Sequence, residues 1–180
     1  VDNVAVDRRV FDEAKQLIEK STGIPADHML MSATHTHSAT SAGGLDEKRR
    51  GWNEDDPLDD YQKFLARRIA DGVQVARNNL EPARIGFGVG SLPQHLFNRR
   101  WKMKTPKVNP FGVMESVVMN PGIAHPDLVE PAGPTDPQVS FISVQSKEGR
   151  PLALLANYSL HYVGGVPDGH LSADYFARPD

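Results

Sequence analysis

The 180-residue chain carries 20 Lys+Arg, 23 Asp+Glu and a formal net charge of -3, with 39% hydrophobic residues. A chain of this size buries roughly 70% of its unfolded surface, so it affords a real core and is not wholly disordered. The charge balance gives no global attraction to nucleic acid or to an anionic membrane. No apolar run approaches the roughly 18 residues of a membrane span. The absence of cysteine excludes disulfides, thiolate metal ligands and cysteine nucleophiles.

In chain order, Val4 to Val6 reads as the tail of a strand and Asp7 as an N-cap. Val10, Phe11, Ala14, Leu17 and Ile18 share one helical face, and Gly23 is the stop signal. His28 to Thr34 reads as a short buried strand, which makes the first third a β-α-β unit. Residues 38–57 are polar and loop-like, and Pro57 is expected at the first turn of a second helix. The stripe of that helix is Tyr61, Phe64, Leu65, Ile69, Val73, Ala76 and Leu80, and Pro82 ends it.

Ile85, Phe87 and Val89 alternate with Gly86, Gly88 and Gly90, a strand with one bare face that invites close packing. From about Phe97 to Pro137 regular structure is expected to fade, because seven of the 14 prolines lie between Pro106 and Pro137. Strands around Val139 to Val144 and Leu152 to Leu160 then form a hairpin about the turn Lys147 to Pro151. The expected class is α/β, with mixed sheets flanked by helices. The chain opens Val1-Asp2-Asn3 and stops at Asp180 as a helix begins, so both ends are expected to be cut from something longer.

The sharpest chemical feature is Ser32-Ala33-Thr34-His35-Thr36-His37-Ser38, where a strand runs into a polar loop. On an extended chain, residues two apart point the same way, so His35 and His37 face one site. Imidazole is a common ligand for zinc and similar metals, and the flanking hydroxyls of Thr34, Thr36 and Ser38 are placed to orient the rings. With seven histidines in the chain, however, a His-x-His pair also arises readily by chance. His161 ends a second apolar strand before Gly164-Gly165, where α/β enzymes often place working groups. Arg99, Arg100, Lys102, Lys104 and Lys107 surround Trp101. That patch reads first as a solvated loop, although a single arginine in it suits an anion or a polarised carbonyl. Asp174 reads as helix-start charge or as an orienting partner. His28, His95, His125 and His170 have no such context.

Thr34-His35-Thr36-His37-Ser38, Asn98-Arg99, Asn157-Tyr158-Ser159-Leu160-His161 and Ser172-Ala173-Asp174, in that order, resemble the amino-terminal catalytic domain of the neutral/alkaline, non-lysosomal ceramidases. The resemblance implies a zinc amidase acting on a small-molecule or lipid substrate, with peripheral membrane contact and an extracytoplasmic location. It implies His35 and His161 as zinc ligands, His37 as a neighbour that contacts substrate, and Arg99 as an active-site cation. It further implies that residues 1–180 are part of one larger catalytic domain, truncated at both ends, with a glutamate and a tyrosine ligand beyond Asp180. Here Ser38 is followed by Ala39-Thr40-Ser41-Ala42-Gly43-Gly44 where the family usually has Ser-Gly-Pro-Gly-Gly, and Arg100 stands where a serine is common. The expected function is therefore zinc-dependent amide hydrolysis, with the N-acyl linkage of a ceramide-like sphingolipid as substrate. The alternatives are another ester, amide or glycosidic substrate, or a binding module that has lost the chemistry. Two imidazole ligands leave a weak, open site, so the chain alone is expected to hold zinc poorly.

Overall fold

The structure, a computed structural model, describes residues 1–43, 57–161 and 166–172. The chain divides into two compact units, Val1–Glu81 with His161–Asp180, and Pro82–Leu160.

The first unit is helical. Helix α1 spans Arg8–Thr22. The Asp7 side chain accepts from the Arg9 N–H at its start, and Gly23 ends it at φ 74 with its N–H on the Glu19 carbonyl. These are the expected caps, and both satisfy backbone groups that a helix end leaves open. Helix α2 spans Asp60–Asn78 and begins later than Pro57 implies. Its N-cap is Asp59, in a capping box with Gln62, which supplies the first N–H groups with partners.

Val10, Ala14, Ala42, Leu65 and Ala66 form the buried cluster between the helices, with Val6, Met31, Leu58, Tyr61 and Ile69 packed on it. The α2 stripe is narrower than its periodicity implies. Leu65, Ala66 and Ala70 are buried, whereas Phe64 and Leu80 are largely exposed. Gln62 is buried although polar, because its amide donates to the Ala42 carbonyl at 3.0 Å.

The expected β-α-β unit is not formed among the described residues. Val6 makes an isolated parallel bridge to Ala42. Residues 29–34 carry no strand, and Leu30 is 98% exposed. An apolar run favours burial, but only a partner ladder makes it a strand. This run is tied instead to the chain start, where the Thr34 N–H donates to the Val1 carbonyl at 3.0 Å.

The second unit holds two three-stranded sheets. Strands β1 (Ala83–Ser91), β5 (Gln138–Ser146) and β6 (Pro151–Tyr158) pair antiparallel in the order β1-β5-β6. The expected β5–β6 hairpin is present, with Gly149 at φ 90 in its turn. The stretch expected to be irregular builds the second sheet. Strands β2 (Arg100–Val108), β3 (Met114–Met119) and β4 (Leu128–Pro131) are ordered β3-β2-β4, again antiparallel. Its prolines sit where the ladder tolerates them: Pro106 lies within the register break between Lys102 and Lys107, and Pro131 closes β4. The α/β content matches expectation, while the pairing within both sheets is antiparallel rather than mixed. No helix among the described residues is long and apolar enough to cross a membrane.

Candidate metal centre

His35, His37 and His161 come together in the first unit, with one potential ligand atom from each lying within 4.8 Å of the others. The ring centroids are 4.9, 5.1 and 4.9 Å apart for the pairs 35–37, 35–161 and 37–161. His37 Nε2 lies 3.3 Å from His35 Nε2 and 3.0 Å from His161 Nε2. The first two rings are exposed and the third is half-buried, so the cluster opens to solvent.

The convergence is not the pleat of a strand, as the spacing of two suggests. His35 adopts φ 62, and a turn begins at His37. Left-handed backbone costs a residue with a Cβ about 1–2 kcal/mol, and such outliers concentrate at functional sites. At His35 the outlier carries the ring toward the common point.

One contact decides which His35 nitrogen faces the cluster. His35 Nδ1 lies 2.8 Å from the Val4 carbonyl oxygen. A carbonyl only accepts, so Nδ1 carries the hydrogen, and in the neutral ring Nε2 presents its lone pair inward. This is the arrangement that orients metal-binding imidazoles in general. The flanking hydroxyls do not take this part. Thr34 and Thr36 bond to each other at 2.7 Å, and Thr34 also reaches Asp2 at 3.1 Å. Ser38 Oγ donates to the Ser172 carbonyl at 2.9 Å, and the Ser172 N–H returns a bond to the Ser38 carbonyl at 3.0 Å. That reciprocal pair ties the turn after His37 to the segment downstream of His161.

The donor set fits a divalent late first-row cation such as zinc. Zn–N bonds of about 2.0–2.1 Å place tetrahedral ligand atoms about 3.3–3.4 Å apart, close to the two Nε2 spacings involving His37. His28, His95, His125 and His170 join no such cluster among the described residues. Asp174 and Gly164-Gly165 lie outside the described residues.

Arg99 belongs to the second unit, just before β2. There it lines an open cleft of about 540 Å³ with Phe97, Met119 and Ser159 among others. Asn98 shapes this corner: its amide donates to the Gly133 carbonyl at 2.9 Å, and its Oδ1 accepts from the Arg100 N–H at 3.0 Å. Two of the neighbouring basic residues have local partners. Lys102 pairs with Glu130 at 2.8 Å, which holds that carboxyl below its usual range, and Lys104 donates to the Pro126 carbonyl at 3.2 Å.

Sequence reasoning did not find the Val4 carbonyl or the Ser38–Ser172 pair, since backbone partners leave no mark in residue identity. It identified all three histidines, with His35 and His37 facing one site by their spacing and His161 joined to them by the resemblance. Compared with family models, curated proteins and solved structures, the chain gives no match to any of them.

Proposed function

We propose that the chain is part of a zinc-dependent hydrolase that cleaves an amide, with the N-acyl linkage of a ceramide-like sphingolipid as its substrate. The observation that carries this reading is the meeting of imidazoles from two segments 124 residues apart. The ordered resemblance of the histidine, Asn-Arg and Ser-Ala-Asp elements to the neutral/alkaline ceramidases supports it. An extracytoplasmic location and peripheral contact with a lipid surface rest on that resemblance alone.

His35 and His161 would hold the ion. Bound zinc supplies Lewis-acid polarisation of a carbonyl and brings the pKa of a water toward about 7, the chemistry that amide hydrolysis needs near neutral pH. The Val4 carbonyl keeps the His35 proton on Nδ1 and its Nε2 available. The left-handed backbone at His35 and the Ser38–Ser172 pair hold the ring-bearing segments in place. Solvent exposure of His35 and His37 leaves room for a substrate carbonyl to approach. The resemblance gives Arg99 the task of stabilising developing negative charge.

Assays of the intact protein on N-acyl sphingosine, simple esters and glycosides test the reading. Release of fatty acid from N-acyl sphingosine, lost together with zinc in His35→Ala and His161→Ala, is the expected result. Turnover of esters or glycosides alone would move the assignment to another zinc hydrolase. Ligand binding without turnover in the zinc-loaded protein would identify a binding module.

A further inference from the structure

Exposed apolar side chains scattered singly are ordinary on a protein surface, but several gathered on one turn are not. The turn between β2 and β3 is such a gathering. The seven residues from Val108 to Met114 carry no charge, and Lys107 and Glu115 close the run on either side. Phe111 is 89% exposed, and Val108, Val113 and Met114 are each more than half exposed. Strand β4 pairs with β2 only between Trp101 and Met103, so from Lys107 onward the hairpin is a two-stranded ribbon. Water can satisfy the backbone of an exposed turn, yet this turn satisfies its own donors. Asn109 Oδ1 accepts from the N–H groups of Phe111 and Val113 at 2.9 and 3.0 Å. The Asn109 N–H donates to the Val113 carbonyl at 2.8 Å, and the Gly112 N–H to the Asn109 carbonyl at 3.0 Å. Pro110 has no N–H to satisfy. Every backbone donor from Asn109 to Val113 is therefore closed within the turn, with Gly112 in the left-handed region at φ 80. An apolar medium demands such closure, because it holds no water to bond a bare N–H.

We infer that the β2–β3 turn, with Phe111 at its tip, inserts into lipid and seats the protein on an anionic bilayer surface. The inference rests on the proposed function for its partner, a membrane that carries the lipid substrate, and it assigns residues to that contact. The charge behind the turn has the right sign. Strand β2 carries Arg100, Lys102, Lys104 and Lys107. Residues 99–131 hold five Arg and Lys against three Asp and Glu, in a chain whose net charge is -3. Lys102 is paired with Glu130, and Glu115 lies opposite Lys107 in the ladder, so the local excess is small. Insertion of the apolar tip therefore carries most of the attraction. The lysines lay their stems along apolar surface with their heads in water, and they add to binding where the lipid is anionic.

The test is flotation of the intact protein with vesicles of phosphatidylcholine, alone or mixed with phosphatidylserine. Phe111→Ala should weaken binding about 10–100-fold, the loss of one buried aromatic ring. Lys107→Gln should weaken it about 5-fold on the mixed vesicles and leave binding to phosphatidylcholine alone unchanged. The emission that Phe111→Trp adds to the wild-type signal should shift to the blue with vesicles and be quenched by brominated acyl chains. Wild-type affinity in Phe111→Ala would overturn the inference, as would added emission that vesicles leave unmoved. Added emission already blue-shifted before vesicles are present would place the tip in a protein interface and overturn it too. Turnover separates this inference from the hydrolase reading. On a short-chain N-acyl sphingosine dissolved as monomers, Phe111→Ala should match wild type, while its turnover of vesicle-borne substrate falls with binding. Vesicle binding without turnover of either substrate would sink the hydrolase reading alone. Turnover of the dissolved substrate without vesicle binding would sink the inference alone.

Discussion

A single methyl group at Gly88 would place a Cβ 2.5 Å from Phe141 Cζ, on the paired strand β5. Gly86 and Gly90, on the same bare face, have nothing within 4 Å of that point. The close packing expected of this glycine face is therefore specific to Gly88. Phe141 is 37% exposed, so its ring has some room to swing aside. Gly88→Ala should destabilise the second unit by about 1–2 kcal/mol in urea unfolding, because overpacking outweighs the small gain in strand propensity. Combining it with Phe141→Ala should recover most of that loss relative to Phe141→Ala alone, and additive penalties in the double-mutant cycle would show that the ring is not the obstacle.

At the scale of elements, the two helices depend on their first residues. Asp7 is almost fully buried, accepts from the Arg9 N–H at 2.9 Å and pairs with the Arg9 guanidinium. The Arg9 side chain is the main cause that holds the Asp7 carboxyl below the ordinary aspartate range, and burial opposes it. Because the folded pKa is depressed, this contribution is complete above the unfolded value of about 3.9 and is lost as pH falls through the lower folded value. Thermal melts of wild type and Asp7→Ala should differ by about 1 kcal/mol from pH 7 to about pH 5 and converge below about pH 4. A gap independent of pH would mean that the charge contributes nothing. In α2, Asp59→Ala removes the acceptor for the Gln62 N–H at 2.8 Å. It should cost about 0.5–2 kcal/mol and fray the first turn, visible as faster amide exchange there. Unchanged exchange would assign the start of α2 to packing alone.

At the scale of the whole molecule, the candidate metal centre joins the beginning of the chain to residues far downstream in the same unit. A ligand that binds only the folded form stabilises it by mass action, by about 2.7 kcal/mol at 100 times its dissociation constant. Zinc at that level should raise the melting temperature of the helical signal by several degrees, and a chelator should return it to the starting value. A melting point indifferent to zinc would argue against a folded-state site at the histidines.

What could be read from residues alone was whatever neighbours in sequence decide. Asp7 and Gly23 bracket α1, alternation marks β1, and a Gly-containing turn joins β5 to β6, because caps, pleat and turn chemistry act within a few residues. The histidine motif was equally visible as a pair of ligand-type side chains facing one site, and only the resemblance joined His161 to it. Tertiary structure alone decided the rest. It left residues 29–34 without a ladder, found strand partners for the proline-rich segment, and narrowed the buried face of α2. It also brought His161 to His37 and turned His35 Nδ1 onto the Val4 carbonyl. Each of those outcomes rests on groups distant in sequence competing for the same burial and the same hydrogen bonds, a contest that residue identity alone does not settle.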